Sequence, residues 1–188
     1  PATEHPAWRP LPAPHARRPF RLGVTSCVYP ADLLPNAAML APAADDIEVV
    51  LFEADGLSGL PSPAVVAELA ALCARHGTTC TVHLPLDLRL GDRDRAARSR
   101  SVACGRRILA LAAPLDPFAF ILHLAPVAPD APPAEVRRWQ AAAEDSLRRL
   151  LDASGVAPAL IAVENLDFPF EWCAELIDRL GLSVCIDI

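Results

Sequence analysis

The stretch TVHLPLDL (residues 81–88) is an apolar strand that ends at a histidine and turns into a loop at Pro85. The run around it, TTCTVHL (78–84), is predicted to be a strand, and the chain's predicted strands are mostly apolar runs, which is typical of strands covered on both faces in a parallel sheet. Active sites of parallel α/β folds are built at the carboxyl ends of the strands. His83 is therefore a candidate site residue if neighbouring strands also end in ionisable or metal-binding side chains.

Strand-like and helix-like segments alternate on both sides of this stretch. The helix at 62–77 is the best delimited, because Ser62 can cap it and Gly77 suits a left-handed stop. The predicted strands are 21–27, 47–53, 78–84, 118–124, 160–165 and 183–187, and the predicted helices are 30–42, 62–77, 93–113, 133–155 and 171–181.

This alternation predicts an α/β fold with a parallel sheet. Two architectures fit, an open doubly wound sheet or a (β/α)₈ TIM barrel. The first strand-to-helix turn, TSCVYPAD (25–32), has no glycine-rich phosphate loop, which argues against a Rossmann dinucleotide site.

Length and composition indicate one globular domain. The chain has 188 residues, 53% of them hydrophobic, which is enough for one core. Residues 1–20 contain six prolines and no periodicity, so we expect a disordered leader there and a single domain over 21–188. The leader lacks the continuous apolar region of a secretory signal.

Charge and cysteine usage narrow the function classes. The net charge of −6 disfavours nucleic acid and anionic lipid as partners, and no apolar run is long enough to cross a membrane. The six cysteines include no CxxC pair, so we interpret them as reduced residues of a cytoplasmic protein. The expected partner is a small-molecule substrate, and the sequence does not specify the oligomeric state.

Five strands end in residues that can bind a metal, namely Glu53, His83, His123, Glu164 and Asp187. Two imidazoles and three carboxylates at one sheet edge suit divalent Zn, Mn or Fe ions. Each residue alone has an ordinary structural explanation, and Glu53 in particular could pair with an arginine. An unpaired carboxylate at the end of a buried strand is costly, so the set as a whole predicts a metal site.

Other residues near the strand ends are candidates for substrate contacts. Tyr29 follows the first strand, Asp87 lies in the loop after His83, and Asn165 follows Glu164. Asp87 and Asn165 could equally cap their loops. Of the arginines between 89 and 107, one or two could hold a phosphate, and the rest suit a solvated face.

The strand-end histidines, VEN (163–165) and CID (185–187) together resemble the xylose-isomerase-like barrels. That superfamily includes sugar isomerases, sugar epimerases and the endonuclease IV class of AP endonucleases. The resemblance implies a metal-dependent (β/α)₈ barrel. It also implies His83, His123, Glu164 and Asp187 as metal ligands, with Glu53 as an addition.

A narrower resemblance points to one activity. RLGVTSCVYPADLLPNAAMLAP (21–42), DDIEVVLFE (45–53) and TVHLPLDLRLG (81–91) are similar to the cobamide-remodelling phosphodiesterase family. This implies metal-assisted hydrolysis of the phosphoester in the cobamide nucleotide loop, with Glu164 and His83 as catalytic residues. The alternatives are a sugar isomerase or epimerase and a catalytically incomplete ligand-binding fragment.

Family barrels have eight strands, whereas six are predicted here. We therefore expect a barrel truncated after about six strands. On that expectation, the 188-residue span made alone is inactive.

Overall fold

A computed structural model describes residues 9, 11–12, 19–54, 57–125, 127–128 and 130–188. Most of the predicted leader lies outside these ranges, so its disorder stays a prediction. Within the leader, Leu11 is partly buried and packs against the core.

Six strands form one sheet in which every pair of neighbours is parallel. They are β1 (Gly23–Thr25), β2 (Asp46–Val50), β5 (Thr79–His83), β6 (Ala119–Leu122), β7 (Ile161–Glu164) and β8 (Ser183–Cys185). Their order in the sheet follows the chain. A doubly wound sheet reverses its order at a switch point, so the sequential order excludes the open-sheet alternative and confirms the barrel architecture.

Two further strands, β3 (Glu53–Ala54) and β4 (Leu57–Ser58), pair antiparallel in a small hairpin after β2. The predicted strand 47–53 therefore ends early, at Val50, and Glu53 belongs to a different element. Leu51 is buried between the two elements, while Phe52 is exposed.

The helices connect the parallel strands as predicted. They are α1 (Leu33–Leu40), α2 (Pro63–His76), α3 (Arg95–Ala112), α4 (Pro133–Ser154) and α5 (Glu171–Leu180). The expected stops of α2 are confirmed, because the Ser62 hydroxyl accepts a hydrogen bond from the Val65 N–H at 3.3 Å and Gly77 has a φ of 68°. No helix in the described ranges is long and apolar enough to cross a membrane.

The two faces of the sheet differ in chemistry. Alternate residues on the helix-covered face are large and fully buried, among them Ile47, Val82 and Leu122. The opposite face carries acidic and small residues, such as Glu48 and Thr81, which pair in register. Helix packing therefore holds the sheet from one side, and the other side is left for the site.

The cysteines agree in part with the prediction that they are small buried residues. All six are free thiols, and Cys73, Cys80 and Cys173 are buried. Cys27 is exposed, which the sequence interpretation did not anticipate.

Candidate metal centre

Three of the predicted ligands meet at the carboxyl edge of the sheet. His83 is the last residue of β5, His123 follows β6 directly, and Glu164 is the last residue of β7. One ligand atom from each lies within 4.8 Å of the others. Glu164 Oε2 is 3.4 Å from His83 Nε2 and 3.2 Å from His123 Nε2. Three neighbouring strands thus aim their last side chains at one point.

The backbone carbonyl of Leu84 identifies one ring nitrogen of His83 that carries a hydrogen. The His83 Nδ1 lies 2.7 Å from the carbonyl oxygen of Leu84. A carbonyl can only accept a hydrogen bond, so Nδ1 carries a hydrogen, and Nε2 is the ring nitrogen that faces Glu164. A backbone carbonyl that fixes the far nitrogen in this way is the usual support of a metal-binding histidine.

His123 Nε2 is buried and has no hydrogen-bond partner among the described residues. The His83 and His123 rings meet edge to face, with centroids 4.8 Å apart and planes at 76°. Two ring nitrogens, one of them buried without a hydrogen-bond partner among the described residues, and a carboxylate oxygen therefore converge on one point, an arrangement that suits a cation. Two imidazoles and one carboxylate are a donor set that fits Zn²⁺, Mn²⁺ or Fe²⁺.

Glu53 lies elsewhere, and strand geometry explains why. On β2 the even-numbered residues face the site, but β2 ends at Val50 and Glu53 begins the separate hairpin strand β3. Glu53 falls on the helix side, where its carboxylate pairs with Arg107 and accepts a hydrogen bond from the Cys104 thiol at 3.3 Å. Its expected place beside the other ligands is corrected to a contact with α3, as the arginine-pair explanation anticipated.

Asp187 does not join the three converging ligand atoms. It follows β8 on the same inner face, and its side chain is exposed. The Asn165 side chain makes two hydrogen bonds to the backbone of Asp187. Its amide nitrogen donates to the Asp187 carbonyl at 3.0 Å, and the Asp187 N–H donates to Asn165 Oδ1 at 2.6 Å. The Asn165 side chain thus extends the β7–β8 pairing and positions the segment that carries Asp187, so its role as a substrate contact stays a prediction.

Tyr29 and Asp87 lie in loops that follow β1 and β5. The Tyr29 hydroxyl donates to the Arg9 carbonyl at 2.9 Å, and its backbone N–H donates to Asn36 Oδ1 at 2.8 Å. Asp87 is exposed, and its charge contributes to raising the pKa of the Cys104 thiol. The structure therefore places Asp87 near α3, and substrate contact by either residue stays a prediction.

Glu48 is a residue near the site that strand-end reasoning missed. It lies in the middle of β2, on the same face as His83 and Glu164. Burial raises the pKa of its carboxyl, the charge of His83 lowers it, and Glu164, Asp46 and Asp187 raise it further. In the sequence, Glu48 could have been recognised as an acidic residue between two apolar residues, Ile47 and Val49, which are buried against the helices.

Similar solved structures share the fold. A D-tagatose 3-epimerase-like protein superposes with a TM-score of 0.70 at 21% identity, covering 90% of this chain and 65% of its own. A D-psicose 3-epimerase gives 0.68 at 18% identity, covering 89% and 63%. The 3-keto-D-glucoside 4-epimerase YcjR from E. coli gives 0.62 at 16% identity, covering 89% and 67%. The chain spans slightly less than two thirds of the length of the first two.

No curated protein matches the sequence significantly. The family model that does match covers residues 42–188, most of the described sheet and all three converging ligands. The finer resemblance to cobamide-remodelling enzymes gains no support from these structures, which are epimerases by name. The chain belongs to the family of xylose isomerase-like TIM barrels.

Proposed function

We propose that the protein is a metal-dependent isomerase or epimerase of a small sugar, with His83, His123 and Glu164 holding the ion. The observation that carries this proposal is the convergence of the three ligand atoms within 4.8 Å at the mouth of the barrel. Support comes from the solved structures of the same fold, several of which are named as sugar 3- or 4-epimerases. This assignment replaces phosphodiester hydrolysis as the preferred activity.

The chemistry that a bound divalent ion supplies is polarisation of a substrate carbonyl, which acidifies the neighbouring C–H and O–H groups. The protein's residues hold and orient that ion. Backbone contact at Leu84 fixes the His83 ring. Glu164 turns Oε2 toward both imidazoles, and the described residues make no hydrogen bond to its other oxygen. That oxygen is therefore available to accept a hydrogen bond from a substrate hydroxyl.

A second candidate is metal-assisted hydrolysis of a phosphodiester, with a cobamide as the substrate implied by the motifs at 21–42 and 81–91. The donor set favours it, because two imidazoles beside one carboxylate suit a zinc ion that activates water. Against it, the arginine ion pairs in the described ranges all involve carboxylates outside the cluster. None of these ion pairs holds an arginine beside the three ligands, where it could bind a phosphate.

The test is to load the complete protein, as its gene encodes it, with Mn²⁺, Co²⁺ or Zn²⁺ and offer two classes of probe. D-tagatose and D-psicose report epimerisation, followed by chromatography of the sugar products. Bis(p-nitrophenyl) phosphate reports phosphodiester hydrolysis, followed by absorbance. The matched variants are His123→Gln, which removes a ligand, and His76→Gln, which changes an exposed histidine at the end of α2.

We expect metal-dependent sugar interconversion that His123→Gln reduces by about 100-fold or more and His76→Gln leaves unchanged. Metal-dependent cleavage of the phosphodiester with no sugar turnover would overturn the proposal in favour of the second candidate. Binding of metal with neither reaction would overturn both.

A further inference from the structure

Glu48 occupies a defined place beneath the metal cluster. It is the central residue of β2, paired in register with Thr25 on β1 and Thr81 on β5. His83 lies two residues beyond Thr81 on the same face, a rise of about 6.6 Å along the strand. Glu48 is therefore one layer deeper in the barrel than the three ligands.

The Glu48 carboxylate has no hydrogen bond or ion pair within the described part of the chain, although the residue is half-buried. Burial is the largest cause of the raised pKa of its carboxyl, and the charges of His83 and Glu164 act on it as well. It is thus close enough to sense the cluster electrostatically, yet it is not among the three residues whose ligand atoms converge. A carboxylate in this position has unused hydrogen-bonding capacity directed into the barrel.

The residues in register with Glu48 have small side chains. A filled TIM barrel places bulky branched residues in its inner layers. Here the inward positions level with Glu48 are Thr25, Thr81 and, one strand further, Ala119. These small neighbours do not cover Glu48, which stays half-buried, so its carboxylate is accessible from the inner face of the sheet.

We propose that Glu48 is a substrate-binding residue that accepts a hydrogen bond from a hydroxyl of a polyhydroxy substrate held at the metal. This inference rests on the proposed function. Glu48 would contact the substrate from below, opposite the metal. A substrate with several hydroxyl groups can reach both the metal and Glu48, whereas a molecule with a single polar group cannot. A site built to bond a hydroxyl discriminates strongly against molecules that lack it.

The experiment measures two affinities by calorimetry: that of Mn²⁺ for the protein, and that of D-tagatose for the Mn²⁺-loaded protein. The variants are Glu48→Gln, which keeps the volume and removes the charge, and Glu48→Asp, which keeps the charge on a shorter arm. Glu68→Gln is the control, because Glu68 is an exposed glutamate on α2. Melting curves establish that each variant is folded.

We expect Glu48→Gln to weaken D-tagatose binding about tenfold or more, as loss of a hydrogen bond to a charged group does. Mn²⁺ affinity should fall far less than it does when a ligand is removed, since Glu48 is a layer away and acts on the ion only through its charge. Glu48→Asp should recover part of the sugar affinity, and Glu68→Gln should behave as the unaltered protein. If Glu48 had only a structural role, Glu48→Gln would lower the stability of the protein and would not weaken D-tagatose binding more than Mn²⁺ binding.

Two results would overturn the inference while leaving the proposed function intact. One is unchanged sugar binding in Glu48→Gln. The other is a loss of Mn²⁺ affinity comparable to that of a ligand variant, which would make Glu48 a ligand itself. Failure of the unaltered, metal-loaded protein to bind the sugar at all would overturn the proposed function and this inference together.

Discussion

Glu164 and Glu53 each follow an apolar strand near the same edge of the sheet, but they lie on opposite faces. Glu164 turns inward and meets two imidazoles, whereas Glu53 turns outward and meets Arg107 and Cys104 on α3. Glu53 already has its cation in the protein. Glu164 has two imidazole nitrogens for neighbours, a donor set that could hold a metal ion. The face of the strand, rather than the position at its end, decides whether a carboxylate belongs to a structural pair or to a metal site.

The largest expected difference between the two carboxylates is in metal affinity. Glu164→Gln should lower the affinity for Zn²⁺ or Mn²⁺ by about 100-fold or more, because it removes the charged ligand. Glu53→Gln is the matched control and should change it by less than about threefold. Calorimetric titration of the two variants measures both values. Equal losses of metal affinity in the two variants would show that Glu53 is also a ligand, and the proposed difference between the two carboxylates would be wrong.

The second difference is in thiol chemistry. Burial, followed by the hydrogen bond and the charge of Glu53, raises the pKa of the Cys104 thiol to about 11. Glu53→Gln removes the charge while the positive charge of Arg107, which lowers the pKa, remains. The thiolate fraction at pH 8 should therefore rise several-fold.

Peptide mass spectrometry after timed alkylation measures this change, with exposed Cys27 in the same chain as the reference. Alkylation of Cys104 should become faster relative to Cys27. An unchanged ratio would mean that Glu53 does not face Cys104 in solution.

A smaller effect concerns Glu48, the inward carboxylate that has no hydrogen bond or ion pair among the described residues. Because its folded pKa is raised above the usual value, its charged form disfavours the folded state, and stability falls as pH rises through the folded pKa. In the metal-free protein at pH 7, Glu48→Gln should raise the Tm by roughly 1–2 °C, allowing for solvent screening of a half-exposed group. The gain should vanish as the pH is lowered toward about 4. A gain that persists there would have another cause.

The smallest effect is on the outward pair. The Arg107 side chain is 59% exposed, so its ion pair with Glu53 is screened by water. Arg107→Ala should lower the free energy of unfolding by about 0.5 kcal/mol, without change in metal affinity. Urea denaturation measures the first quantity and calorimetry the second. A loss of several kcal/mol would show that the pair is far better shielded than its exposure indicates.

Much of the fold followed from the sequence because burial leaves a clear pattern. Apolar strands alternating with capped helices, such as the one between Ser62 and Gly77, are local features, and most appeared close to their predicted bounds, although the strand predicted at 47–53 ended at Val50. The choice between an open sheet and a barrel needed the strand order, which is a long-range property. No single residue pattern encodes that order, and only the family resemblance pointed to it.

The sequence predicted a site residue correctly when two conditions held together. The residue had to lie at the carboxyl end of a strand, and the alternation of side chains along the strand had to place it on the inner face. His83 and Glu164 satisfy both, since each is the last residue of its strand and faces inward. Glu53 met the first condition in the sequence but has the wrong parity relative to Ile47 and Val49. Glu48 has the right parity but lies in mid-strand, so a search restricted to strand ends passed over it.

The central claim is that His83, His123 and Glu164 hold one divalent ion, and X-ray absorption of the Zn²⁺-loaded protein tests it most directly. The account predicts scattering from two imidazoles with Zn–N distances of about 2.0–2.1 Å. It also predicts that His123→Gln reduces the imidazole count to one, while His76→Gln leaves it at two. A zinc ion with no imidazole neighbours, or a count that His123→Gln does not change, would contradict the account.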